Sequence, residues 1–295
     1  MTWRFALVID PAASEDTRAD FSATFREVEP SAPALSIGEL STQRGDGVFE
    51  SIGIVDGHPQ EVTAHLERLA HSAHVCDLPY PNVDQWRQAV VVAAEHCPSE
   101  GEAVIKLILS RGVEHGPAPT AWVTAADAPD NTGVRERGVR VVTLDRGYDS
   151  SVPDRAPWLL LGAKTLSYAV NMAAIREARR RGADDAIFVT TDGYVLEAPT
   201  ASLILRHGDR FLTPPPNGSI LQGTTQLSLF EHLERQGYET GYELIAMGAL
   251  ATADAAWLVS SVRLAVPVLA IDAVEFEVDG ELTAAFNAYL LSPRD

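Results

Sequence analysis

The chain has 295 residues, a formal net charge of −18 at pH 7, 46% hydrophobic residues and 22% charged residues. The length suits two modest domains or one large α/β unit, the composition excludes a disordered chain, and no apolar run is long enough to span a bilayer. So acidic a chain repels nucleic acid and anionic membranes at long range, so an anionic substrate needs a local basic pocket.

The opening MTWRFALVIDPAAS carries a brief apolar run that Asp10 interrupts. It lacks a charged leader and a cleavage site, so it reads as a first strand rather than a signal peptide. The β-rich stretch 46–56 ends in Asp56-Gly57, a turn signal. Residues 60–75 read as an amphipathic helix with Val62, Leu66, Leu69 and Ala73 on its apolar stripe. His65, Arg68 and Ser72 share a different face, spaced by three and four. A second helix is expected over 83–96, with strands over 103–110 and 120–124. The two cysteines, Cys76 and Cys97, have no CxxC neighbour and no metal-ligand spacing. They read as reduced thiols of a cytoplasmic protein, and no metal site is expected.

Residues 127–137 are polar and contain Pro and Gly, which makes them the interdomain linker between an N-terminal domain (1–126) and a C-terminal domain (138–295). A strand follows near 139–144, then a loop, then LGAKTLSYAVNMAAIREARRRG. A helix is expected to begin at Lys164 and to end in Arg179–Arg181, with Gly182 just past it. Asp192-Gly193 and His207-Gly208-Asp209 each mark a hairpin. The loop PPPNGSILQ leads into a helix that Gly237 stops. Short strands, a short helix near 249–252 and a last helix near 281–290 complete the chain. Interleaved elements with frequent hairpins predict a mixed or antiparallel α+β arrangement rather than a doubly wound parallel sheet.

Four features carry chemistry. Lys164 sits among Leu, Gly, Ala and Tyr. An amine in an apolar setting loses the solvation of its charged form, which makes it a nucleophile able to form a Schiff base. Taken alone, such a lysine is more simply read as a snorkelling side chain. Glu197 lies in YVLEAPTASL after the first hairpin, where its carboxylate could take the proton of a pyridine nitrogen, or merely face solvent. Gly223-Thr224-Thr225 opens a helix, and the N–H groups there suit an anion as well as an ordinary cap. Arg68 reads as a second phosphate ligand or as a surface ion pair.

In this order, these features resemble the class IV (fold-type IV) pyridoxal-phosphate enzymes, which include branched-chain and D-amino acid aminotransferases and 4-amino-4-deoxychorismate lyase. The segments that carry the resemblance are RGDGVFESI (44–52), HLERL (65–69), KLILSRG (106–112), the Lys164 segment, DGYVLEAPTASL (192–203), ILQGTT (220–225) and SSVRLAVPV (260–268). The resemblance implies two α/β domains around a cofactor cleft, a homodimer, and pyridoxal 5'-phosphate as cofactor. It implies that Lys164 carries the Schiff base and moves the substrate proton, and that Glu197 pairs with the pyridine nitrogen. Tyr168 would hydrogen-bond the cofactor phenolate, while Arg68, Gly223, Thr224, Thr225 and Ser261 would hold its phosphate.

The substrate side departs from the family. Ser202 stands where an Asn is usual, Pro199 stiffens the preceding turn, and the run after the phosphate turn is GTTQ. No Arg follows Ser110-Arg111-Gly112 at the position that D-amino acid aminotransferases use for the carboxylate. Ser260-Ser261-Val262-Arg263-Leu264 is closer to the run of the lyases. The expected reaction is therefore elimination of pyruvate from 4-amino-4-deoxychorismate to give 4-aminobenzoate. The alternatives are an aminotransferase using 2-oxo acids and a degenerate member without turnover. Arg44, Arg111 and Arg263 are candidates to meet substrate carboxylates, and Ser51 and His115 to line the cleft.

Overall fold

The computed structural model describes residues 2–295. The chain divides into two compact units. The first holds Met1–Pro129, Ala163–Tyr168 and Ser292–Asp295; the second holds Asp130–Gly162 and Ala169–Leu291.

The first unit contains strands β1 (Trp3–Ile9), β2 (Phe25–Glu27), β3 (Gly47–Val55), β4 (His58–Pro59), β5 (Glu102–Ser110) and β6 (Thr120–Asp127). Its helices are α1 (Leu40–Gln43), α2 (Val62–Val75) and α3 (Val83–Ala94). The strands form one sheet in the order β2-β1-β6-β5-β3-β4, antiparallel at every pairing. Asp56 and Gly57 both take positive φ, 48° and 77°, as a tight two-residue hairpin between β3 and β4 requires. The whole apolar stripe of α2 is buried: Val62, Leu66, Leu69 and Ala73. Asn82 caps α3, its side chain accepting from Gln85 N–H at 3.0 Å.

The second unit contains α4 (Thr132–Arg137), β7 (Val139–Asp145), α5 (Val152–Arg155), α6 (Ala169–Arg180), β8 (Asp185–Val189), β9 (Ser202–His207), β10 (Arg210–Thr213), α7 (Thr224–Arg235), β11 (Glu239–Tyr242), β12 (Ala255–Ser260), β13 (Leu264–Ile271), β14 (Val274–Glu275) and α8 (Gly280–Leu290). Its sheet runs β11-β10-β9-β12-β13-β7-β8, with β14 on β13, and mixes parallel and antiparallel pairs. Both faces are covered. Leu203, Leu205, Leu258, Val266 and Val268 pack on one side. Ile204, Phe211, Trp257 and Val259 pack on the other against Leu229, Leu233, Phe286 and Leu290. A strand buried on both faces needs no polar alternation, which is why β9, β12 and β13 read as continuous apolar runs.

The α+β expectation therefore holds, with three local corrections. The polar stretch 127–137 is not all linker: Thr132–Arg137 is helix α4. Asp130 accepts from Thr132 N–H at 3.0 Å, and the Arg135 guanidinium donates to the Arg263 and Val262 carbonyls at 2.9 and 3.2 Å, which pins it. The YVLEA return after Asp192-Gly193 does fold back on β8, with Leu196 N–H donating to Phe188 O at 2.8 Å and Phe188 N–H to Glu197 O at 3.0 Å, but it forms isolated bridges rather than a full strand, and Tyr194 and Val195 also pair with Ala246 and Ile245. Finally, the helix starts at Ala169 rather than at Lys164. Residues 164–166 are extended instead, since their backbone is used to pair with β3: Phe49 N–H donates to Lys164 O at 3.0 Å and Leu166 N–H to Gly47 O at 2.8 Å.

Candidate active site

In the first unit, β3 and α2 place Lys164. The lysine segment lies along β3 through the two backbone bonds above and a Val48–Thr165 bridge. From the helix side, Lys164 N–H donates to Ser72 Oγ at 3.0 Å. The lysine is half-buried, and its Nζ lies 4.6 Å from the Phe49 ring centroid and 5.9 Å from that of Tyr168. The two rings meet edge to face at 5.4 Å. The amine is thus held against aromatic carbon on a fixed backbone, rather than snorkelling from a helix.

Arg68 and His65 lie on the same face of α2 as Ser72, and both reach Glu50 in the middle of β3. Arg68 grips the carboxylate with two bonds, Nε to Oε1 at 2.7 Å and Nη2 to Oε2 at 2.8 Å. His65 Nδ1 is 2.7 Å from Oε2. Glu50 and His65 have no exposed surface. Burial pushes the Glu50 carboxyl up, but Arg68 and His65 outweigh it and hold it well below the usual carboxylate range.

In the second unit, α7 and the β12–β13 turn build a cluster of hydroxyls. Gly223 is the N-cap of α7 and gives it no side-chain cap. Thr224 and Thr225 fill the first turn and are buried, and each Oγ1 lies 3.3 Å from Ser261 Oγ. A Cβ at Gly223 would run into the hydroxyl of the buried Ser202. Glu197 is half-buried, and its Oε1 accepts Leu221 N–H at 3.0 Å, so the loop leading into α7 also orients the carboxylate. Asn171 Nδ2 donates to Pro199 O at 2.7 Å and anchors the turn that follows Glu197.

The substrate candidates lie on different elements of the two units. Arg111 is tied to Asp46 at 2.8 Å and to the carbonyls of Cys76 and Asp77 at 2.7 and 3.0 Å. Arg263 is committed to the buried Asp185 at 2.7 Å. Arg44 is exposed and meets only Glu114, at 3.5 Å. His115 is exposed in a loop at φ 63°. Ser51 is half-buried on β3, directly across from Lys106 on β5. Two residues are absent from the sequence reading. Glu50 was signalled only by being a charge inside the apolar strand VFESIGIV. Lys106 is a half-buried cation within KLILS, on the Ser51 face of the sheet.

Residues 47–271 match the amino-transferase class IV family. Over 255 residues the chain is 45% identical to a Mycobacterium tuberculosis protein named bifunctional aminodeoxychorismate lyase / D-amino acid transaminase, covering 83% of this chain and 88% of that one. Among solved structures it is similar to the fold IV transaminase CpuTA1 of Curtobacterium pusillum, with a TM-score of 0.92, 47% identity, and 98% and 99% of the two chains covered. It is also similar to the PLP-bound form of a hypothetical aminotransferase from Mycobacterium tuberculosis, with a TM-score of 0.88, 40% identity, and 98% and 100% covered.

The side chains described in each unit are of the kinds such a cofactor needs: in the first an amine that could meet its aldehyde, in the second hydroxyls and helix-terminal N–H groups that could meet its phosphate and a carboxylate that could meet its ring nitrogen. The chain belongs to the class IV aminotransferases, and is a pyridoxal-phosphate-dependent enzyme of fold type IV acting on amino acids or related small molecules.

Proposed function

We propose that the protein is a 4-amino-4-deoxychorismate lyase that releases pyruvate and 4-aminobenzoate, and so serves folate synthesis. The observation that carries this reading is the 45% identity, across most of both chains, to a relative whose name includes that lyase activity. The same name includes D-amino acid transamination, and the Curtobacterium neighbour is called a transaminase, which keeps amino transfer to a 2-oxo acid as the second reading.

Pyridoxal phosphate, when bound, supplies an electron sink for the carbon that bears the substrate amine. Lys164 Nζ would hold the cofactor's aldehyde carbon and, once displaced by the substrate amine, would take the proton from the amine-bearing carbon and give it to the departing enolpyruvyl group, which leaves as pyruvate. Its backbone is tied to β3 and to Ser72, so the amine approaches from a fixed direction. Tyr168 would hydrogen-bond the cofactor phenolate oxygen, and Glu197 would keep a proton on the ring nitrogen. Arg68 and the Gly223-Thr224-Thr225 turn, with Ser261, would hold the phosphate. Arg44 and Lys106 are better placed than Arg111 and Arg263 to meet substrate carboxylates, because the latter two already hold carboxylates at 2.8 and 2.7 Å.

We also read the protein as a cytoplasmic homodimer. Both cysteines are free thiols, and among the described residues no helix is long and apolar enough to cross a membrane. Ile37 is 95% exposed beside Leu35 and Val113, apolar surface that a second copy would cover. The deciding experiment compares 4-aminobenzoate release with amino transfer from D- and L-amino acids to 2-oxoglutarate or pyruvate. Release without an added 2-oxo acid supports the lyase; transfer without release rejects it. Lys164→Ala abolishes both activities and the visible absorbance of the lysine-bound cofactor. A wild type that cannot be made yellow with pyridoxal phosphate refutes the assignment of Lys164.

A further inference from the structure

Glu50 is a full charge in the middle of β3, between Val48 and Ile52 along the strand, with no exposed surface. An apolar side chain of that size would pack there without desolvating a carboxylate, a guanidinium and an imidazole. Stability therefore gives no reason for Glu50; the reason lies in what it holds. We propose that Glu50 is a positioning residue for the cofactor's phosphate and acts through Arg68. The inference rests on the reading of Arg68 as a phosphate ligand.

An arginine side chain has many rotamers, and a flexible guanidinium binds a phosphate less well than a fixed one. Glu50 fixes it. The two bonds at 2.7 and 2.8 Å use the Nε and Nη2 edge, which sets both the plane and the direction of the fork. His65 at 2.7 Å holds the Oε2 side of the carboxylate and so opposes its rotation. Arg68 precedes Ser72 by one helical turn, and Ser72 receives the Lys164 amide. One face of α2 thus fixes both the guanidinium and the backbone of the Schiff-base lysine.

The test is equilibrium binding of pyridoxal phosphate and of pyridoxal, which lacks the phosphate, to the cofactor-free protein. Both can react with Lys164, and only one presents a phosphate. Glu50→Gln keeps the shape but removes the charge. We expect pyridoxal phosphate to bind about tenfold more weakly or worse, as for other outer-shell partners of a binding group, and pyridoxal to bind within about twofold of wild type on the same reasoning. Glu50→Asp retracts the carboxylate by one methylene and gives the same selective loss, so it serves if the Gln variant does not fold. In an Arg68→Met background, Glu50→Gln has no further effect on pyridoxal phosphate. Equal losses for both ligands, or no loss for either, overturn the proposal. If Arg68→Met weakens only pyridoxal phosphate while the Glu50 variants do not, the Glu50 role falls and the phosphate reading stands. If Arg68→Met has no selective effect, the phosphate reading itself falls and the Glu50 role with it.

Discussion

Ser72→Ala tests how the lysine is held. Ser72 has no exposed surface, and its hydroxyl lies 3.0 Å from the Lys164 amide. The substitution removes one oxygen and leaves almost no cavity, so the effect is that of the hydrogen bond. A replaceable bond contributes about 0.5–1.5 kcal/mol, and a buried donor left unsatisfied costs about 1–3 kcal/mol. Water has no open route to a fully buried Ser72, so we expect about 2 kcal/mol. A unit of roughly 150 residues melts about 2–4 °C lower per kcal/mol, which gives a fall of about 4–8 °C. The assay is calorimetry of the cofactor-free protein, because bound cofactor adds its own stabilisation by mass action. Ser14→Ala is the control, since that exposed hydroxyl meets only Glu15. The two backbone bonds to β3 remain in the variant, so Lys164 still takes up cofactor, with a broadened visible band. A variant that melts within about half a degree of wild type, well below one hydrogen bond's worth, refutes the idea that Ser72 anchors the lysine.

Further outcomes follow from other parts of the structure. Arg263→Ala strips the buried Asp185 of its guanidinium and should destabilise by about 3–5 kcal/mol in urea unfolding with little change in KM; a large KM effect at full stability would make Arg263 a substrate ligand instead. Gly223→Ala drives a methyl into Ser202 Oγ, costs about 1–3 kcal/mol and weakens cofactor retention, and the added Ser202→Ala change restores both. Hydrogen bonds from Ser150 and then Thr190 hold the Asp192 carboxyl down at about 2, against an ordinary 3.8. Its contribution to stability is therefore complete above pH 3.8 and is lost as pH falls through about 2, and a pH series of melting temperatures flattens over that window in Asp192→Asn.

Local pattern alone determined a good deal of this protein. The stripe Val62, Leu66, Leu69 and Ala73 marked α2, Asp56-Gly57 marked a hairpin, and Gly237 marked the stop of α7, because periodicity and turn chemistry are properties of neighbouring residues. The order of Arg68, Lys164, Glu197 and Gly223-Thr224-Thr225 was enough to suggest the cofactor. The tertiary structure alone decided what each of these touches. Lys164 looked like the start of a helix because its own neighbours favour one; pairing with β3, more than a hundred residues earlier, draws it into an extended segment instead. Arg263 looked available and is taken by Asp185. Glu50 drew no reading from the sequence, and its meaning lies in Arg68 and His65 on the next helix. A buried charge is tolerated only where partners converge on it, and that convergence depends on sheet register and helix packing, which neighbouring residues do not encode.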